Sequence, residues 1–282
     1  MNINVKVSDI RSNKARDFVN NISKKYAQAI SKSIAETSVY DGKTGRPCQW
    51  YDNPIRPIKE TNVSLIQTTT DGALYDLDRN GKTAVLNFAS YKHPGGGFLN
   101  GAMAQEEALC HTSTLYPVLS AFDDSYYAEN RKDTNRGLYR DRALYSKDIL
   151  FIKDFKEKAY KADVITCASP NNSFSVDTPL LDTPSAKENE IAVRNRIGFI
   201  RDICLNEKVD NVILGAWGCG VFAQDPVYVA TEFRKAFEGT GINCVYAIPD
   251  NKNFTTFKTA FEDYDKTIEN ETIENEYDIE RE

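Results

Sequence analysis

Thr83-Ala84-Val85-Leu86-Asn87-Phe88-Ala89 runs through Ser90-Tyr91-Lys92-His93-Pro94 into Gly95-Gly96-Gly97-Phe98-Leu99-Asn100-Gly101-Ala102-Met103-Ala104 and on to Gln105-Glu106-Glu107. A short apolar, β-rich run is followed by a glycine turn and then by paired carboxylates at a helix start. Strand, glycine loop and helix in that order form the unit from which helix-covered parallel sheets are built. Backbone N–H groups bared in such a loop, beside a helix N-terminus, bind anionic oxygens without a cationic side chain. A carboxylic acid one turn away is then placed to protonate a leaving group.

The same alternation extends outward. Apolar runs at 62–69, 149–152, 164–167, 211–214 and 242–248 read as strands, and stretches at 105–120, 188–206, 225–238 and 253–264 read as helices. Asp225 as N-cap, Pro226 at the first helical position and Gly239 past the end delimit one helix. Ahead of the sheet, Phe18, Val19, Ile22, Tyr26, Ile30 and Ile34 fall on one helical face, predicting a helical segment over 8–40. Residues 41–60 are dense in turn formers. The expected organisation is an N-terminal helical extension (1–60) packed on the core, an α/β catalytic domain (61–264) and an acidic, flexible tail (265–282).

Composition narrows the class. With 41% apolar residues in 282, the chain can bury a core without disulfides or metal. No leader-like stretch or long apolar run is present, so a soluble, cytoplasmic protein without membrane contact is expected. Cys48, Cys110, Cys167, Cys204, Cys219 and Cys244 are scattered and read as reduced; with only His93 and His111 beside them, no metal site is expected. The net charge of −6 is concentrated at the end. Residues 262–282 hold ten acidic residues against Lys266 and Arg281, which leaves the body at +2 and gives no support for nucleic-acid binding. A five-residue unit, Thr267-Ile268-Glu269-Asn270-Glu271, repeats once, too few copies for a solenoid.

A second glycine loop, Gly215-Ala216-Trp217-Gly218-Cys219-Gly220-Val221-Phe222, follows the strand at 211–214. Two such loops at strand C-termini can grip two phosphates, although each alone also reads as a tight turn. Gly218-x-Gly220-x-x-Ala223 formally fits a dinucleotide fingerprint, but its position near the C-terminus and the misplaced Glu238 argue against a dehydrogenase. Cys110-His111 suggests a thiol nucleophile, yet neighbouring helical residues diverge and Leu115 and Leu119 point to packing. By the same geometry Glu106 and Glu107 are expected a quarter-turn apart, unable to face each other as a glycosidase carboxylate pair. One would act as acid while the other fixes the sugar.

Together, 86–90, 94–107 with its three glycines, seven residues and Gln-Glu-Glu, Val164-Ile165-Thr166-Cys167-Ala168-Ser169-Pro170-Asn171, and 215–222 resemble the signature of poly(ADP-ribose) glycohydrolases of the bacterial and fungal type, over roughly residues 60–250. The resemblance implies a three-layer α/β/α macrodomain with a mixed central sheet, ADP-ribose or poly(ADP-ribose) as ligand, on modified proteins or free, and no cofactor. It makes Glu107 the general acid on the ribose–ribose oxygen, with Glu106 on ribose hydroxyls and Gln105 in support. Gly95, Gly96 and Gly97 would share the diphosphate with Gly218, Cys219, Gly220, Val221 and Phe222, Phe222 packing also on the distal ribose. Asn87 would contact that ribose and Asn171 the adenosine side. Removal of single ADP-ribose units from proteins, or non-catalytic ADP-ribose binding, are the alternatives.

Overall fold

The computed structural model describes residues 6–42, 60–77, 80–152, 159–173 and 183–279, with side chains to 268. Most of the turn-rich stretch and Cys48 lie outside the described residues. Seven strands form one mixed sheet: β1 (Ser38–Asp41), β2 (Val63–Ile66), β3 (Thr83–Phe88), β4 (Arg142–Ile152), β5 (Ala159–Cys167), β6 (Asn211–Leu214) and β7 (Asn243–Ala247). Their order is β1-β4-β5-β3-β6-β7-β2, with β5, β3, β6, β7 and β2 parallel and β4 antiparallel to both its neighbours. Strand β3, which feeds the first glycine loop, is central and pairs with β5 on one side and β6 on the other.

Helices cover both faces, as the alternation requires. One core holds α1 (Val7–Lys25), α2 (Ala27–Glu36), α3 (Thr70–Asp76), α4 (Gln105–Thr112) and α5 (Leu115–Ser120) against Val85, Val164 and Ile213; a short α6 (Ala128–Lys132) follows. The other holds α7 (Ala186–Asn206), α8 (Pro226–Phe237) and α9 (Asn251–Ile279) against Leu86, Ile165 and Leu214. The Asp225 carboxylate accepts from Val227 N at 2.8 Å, and Gly239 takes φ +69°, so α8 starts and stops on the residues that signal it. Among the described residues no helix is long and apolar enough to cross a membrane.

The departures from sequence expectation have local causes. The N-terminal helical run breaks at Tyr26 (φ −116°, ψ 27°), and its last part is not helix but strand β1, paired with β4. Ala15, Phe18, Ile22 and Ile30 belong to the same core as β3, so this segment is continuous with the domain. The run from Gln105 breaks at Ser113–Thr114, where the Ser113 hydroxyl donates to Leu109 O (2.6 Å) and Thr114 exchanges hydrogen bonds with Leu150. β4 extends well before Ile149 because a bulge between Ser146 and Ile149, with Asp148 at φ +56°, hides its alternation. Thr69, expected in a strand, instead caps α3 by accepting from Gly72 N. The final helix runs from Asn251 to Ile279, longer than the stretch at 253–264 read from the sequence.

Candidate functional site

Both glycine loops and both glutamates border one cavity of about 980 Å³ at the C-terminal ends of β3, β6, β7 and β2. Its walls include Gly96, Gly97, Gln105, Glu106 and Glu107 from the first loop and α4, and Gly218, Gly220, Val221 and Phe222 from the second. A volume of this size holds a dinucleotide-sized ligand. Asn87, Gly95, Asn171 and Cys219 do not line it.

The first loop is built around the carboxylates. Gly97 N donates to Glu107 Oε1 at 2.7 Å, and Ala104 N to Glu107 Oε2 at 2.9 Å, the latter closing the first turn of α4. Ser90 N donates to Glu106 Oε2 (2.7 Å) and Asn87 Nδ2 to Glu106 Oε1 (3.0 Å), while Gly95 N–H also reaches Glu106. Gly96 N bonds His93 O at 3.1 Å. The three N–H groups expected to cradle a phosphate are therefore committed within the protein, two of them to its own acids. Gly95 and Gly96 take φ of +68° and +58°, which wraps the turn over the glutamates. A Cβ at Gly96 would lie 2.5 Å from Glu107 Oε1 and 3.0 Å from Glu106 Oε2. The two side chains thus converge on one glycine, and the expectation that they diverge is corrected: Glu107 curls back toward the helix start.

Burial pushes the Glu106 carboxyl up to about 8, against the bonds from Ser90 and Asn87, and the neighbouring Glu107 charge adds to the rise. The native state therefore keeps a proton that the unfolded chain has lost above its ordinary value of 4.5. This contribution to stability is complete below about pH 4.5 and disappears as pH rises through about 8. Urea midpoints should fall from pH 5 to pH 8.5 by an amount equivalent to a few kcal/mol, and Glu106→Gln should flatten that slope. Equal slopes in the two proteins would show that Glu106 carries no buried proton.

Supporting groups explain why the acids sit here. The Gln105 amide accepts from Phe88 N (2.8 Å) and donates to Leu86 O (2.9 Å) and Thr70 Oγ1 (3.1 Å), fastening α4 to the end of β3. Asn87, expected on the ribose, is fully buried behind Glu106; being inside β3, its side chain faces the acid and Thr166. Asn171 turns its Oδ1 onto Ser173 N and Oγ. Cys110 is buried beneath Gly95 with its thiol pushed well above the ordinary range, which removes the nucleophile reading.

The second loop remains open. Gly218, at φ +79°, packs against the Ser169 side chain so closely that a Cβ would collide. Cys219 N is bonded to Ala216 O, whereas the N–H groups of Gly220, Val221 and Phe222 have no acceptor among the described residues. These are the bared amides. Trp217 is core, its Nε1 donating to Cys167 O at 3.0 Å. Phe222 stands edge-on to Tyr139, which stacks on Tyr91 at 4.2 Å. Arg196, fully buried, anchors this side through Asp141 and Ala168 O, both at 2.6 Å. Neither the aromatic stack nor Arg196 has a local sequence signal, since each contact joins segments dozens of residues apart. Arg16, on the far N-terminal helix, also lines the cavity.

The family model for the microbial-type PARG catalytic domain matches residues 10–154, which include the first loop and both glutamates. The chain is similar to the solved structure of poly(ADP-ribose) glycohydrolase from Thermomonospora curvata, with TM-score 0.78 and 27% identity over 89% of this chain and 98% of that one. The same enzyme bound to the inhibitor ADP-HPD matches with TM-score 0.74 and 27% identity, covering 88% and 98%. Poly(ADP-ribose) glycohydrolase from Deinococcus radiodurans in complex with ADP-ribose matches with TM-score 0.73 and 30% identity, covering 83% and 97%. No curated protein matches the chain.

Proposed function

The chain belongs to the microbial-type poly(ADP-ribose) glycohydrolase catalytic-domain family, and from that premise we propose that it hydrolyses the ribose–ribose O-glycosidic bonds of poly(ADP-ribose) and releases ADP-ribose. The observation that carries this reading is the single cavity in which an open amide loop faces two buried glutamates. The three-layer arrangement, with its site at strand C-termini, fits the macrodomain pattern. The free thiols among the described residues accord with a place inside the cell.

In this mechanism the diphosphate of the terminal unit rests on the N–H groups of Gly220, Val221 and Phe222, and Phe222 covers the distal ribose. The anomeric carbon then faces the glutamates. Glu106 brings a proton to the pair and holds ribose hydroxyls; Glu107 passes a proton to the leaving ribose oxygen as the anomeric C–O bond breaks. Water adds to the oxocarbenium-like centre and returns its proton to Glu107. Asn87 and Gln105 position the acids without touching the sugar.

Two measurements test the reading. Incubating the protein with poly(ADP-ribose), and in parallel with mono-ADP-ribosylated protein, should release ADP-ribose from the polymer; release from the mono-modified protein alone would replace this reading with the mono-specific one, and no release from either would leave a binding module. Gly220→Val tests the loop. Its Cβ position has no atom within 4 Å, so the fold tolerates a side chain there, and because Gly220 lines the cavity an added branch would crowd a ligand resting on the loop. ADP-ribose affinity should fall about 100-fold by calorimetry, with a melting temperature within about 2 °C of the parent.

A further inference from the structure

We propose that Arg16 is a specificity-determining residue that binds the pyrophosphate of the polymer unit on the leaving side of the scissile bond. The inference rests on the polymer-hydrolysing reading and names the substrate feature that reading leaves open. Helix α1 sits on the segment joining the first loop to α4: Ser12 Oγ donates to Leu99 O at 2.5 Å, and a Cβ at Gly101 would lie 3.1 Å from Arg11 Cβ. Arg16 is one turn beyond Ser12 and follows the buried Ala15, so the helix presents it over this same rim. Its charge is felt by the Tyr116 hydroxyl, and the Tyr116 ring lies directly under Gly95, 2.6 Å from where a Cβ would be. The guanidinium therefore stands on the acid side of the cavity, across from the open loop at 220–222.

The charge balance makes it informative. Asp71, Glu106, Glu107 and Asp250 line the cavity, and Arg16 is the one Arg or Lys among the described residues that does so. No carboxylate pairs with it among the described residues. Amides hold the terminal diphosphate on one side; the ribose whose 2′-oxygen leaves carries a second pyrophosphate at its own 5′ carbon, on the other. An exposed guanidinium fork is suited to that group.

The test is Arg16→Glu, with Lys14→Glu as a control that makes the same charge change on an exposed position of α1 outside the cavity lining. Arg16→Glu should raise KM for poly(ADP-ribose) about tenfold, with kcat within about twofold and a weaker salt dependence; Lys14→Glu should leave both constants unchanged. The affinity of Arg16→Glu for free ADP-ribose should stay within about twofold of the parent. An unchanged polymer KM, or a parallel loss of ADP-ribose affinity placing Arg16 on the terminal unit, overturns the inference. If the parent protein releases nothing from polymer, the functional reading itself fails, a result distinct from either.

Discussion

Glu107→Gln should lower kcat on poly(ADP-ribose) by about 100- to 10,000-fold, the usual worth of a positioned general acid. Free ADP-ribose should still bind with an affinity within about threefold of the parent, because the bared amides of the second loop are untouched. The substitution keeps an oxygen to accept from Gly97 N but sets an amide against Ala104 N–H, which now donates to Glu107 Oε2 at 2.9 Å. A loss of about 1 kcal/mol in stability is the expected cost of that capping bond. Turnover that survives within tenfold would move the acid role away from Glu107. Loss of ADP-ribose binding with turnover would make the residue an architectural clamp for the glycine loop.

Gly96→Ala should be as damaging by another route. The added methyl meets Glu107 Oε1 at 2.5 Å, closer than real carbon–oxygen contacts allow, and Glu106 Oε2 at 3.0 Å, a tight contact, and the backbone there is at φ +58°. The Glu107 carboxylate must shift and Glu106 must give slightly, and the left-handed conformation adds about 1–2 kcal/mol of strain. The expected result is a fall of at least about 100-fold in kcat/KM together with a melting temperature lower by several degrees. Gly220→Val makes the contrast: a larger group, placed where nothing crowds it, should reduce binding while sparing the fold. If Gly96→Ala were as active as the parent, the convergence of the two acids on this glycine would have no bearing on the reaction.

The sequence makes the site legible where chemistry is local. The strand, glycine turn and Gln105-Glu106-Glu107 stand within twenty-five residues, and Asp225-Pro226 signals its helix by itself. What it does not show is how donors are shared. A triple glycine suggests amides waiting for phosphate, yet Gly95 and Gly97 point theirs at Glu106 and Glu107, an outcome fixed by how the loop folds back over α4. Asn87 alternates correctly as an inward residue of β3, but only the packing of α4 on that face reveals that Glu106 stands between it and the cavity. β1 is four residues long and directly follows a helical period, so its pairing with residues 142–145 of β4 carries no local mark. Arg16 reads as one more solvated charge on an amphipathic helix until α1 is seen resting on Leu99.

The order of strands bears on how the molecule is made. β3, which carries the acid loop, gains its partner on one side from β5 but on the other from β6, over a hundred residues later, and β2 waits for β7 at 243–247. A nascent chain that has emerged only to residue 200 therefore exposes one edge of its central strand, a surface prone to mispairing. The same late segment that seals this edge brings Gly220, Val221 and Phe222. Closure of the sheet and the loop proposed to hold the diphosphate consequently arrive together during synthesis, and a truncated product is left with its glutamates but without that loop.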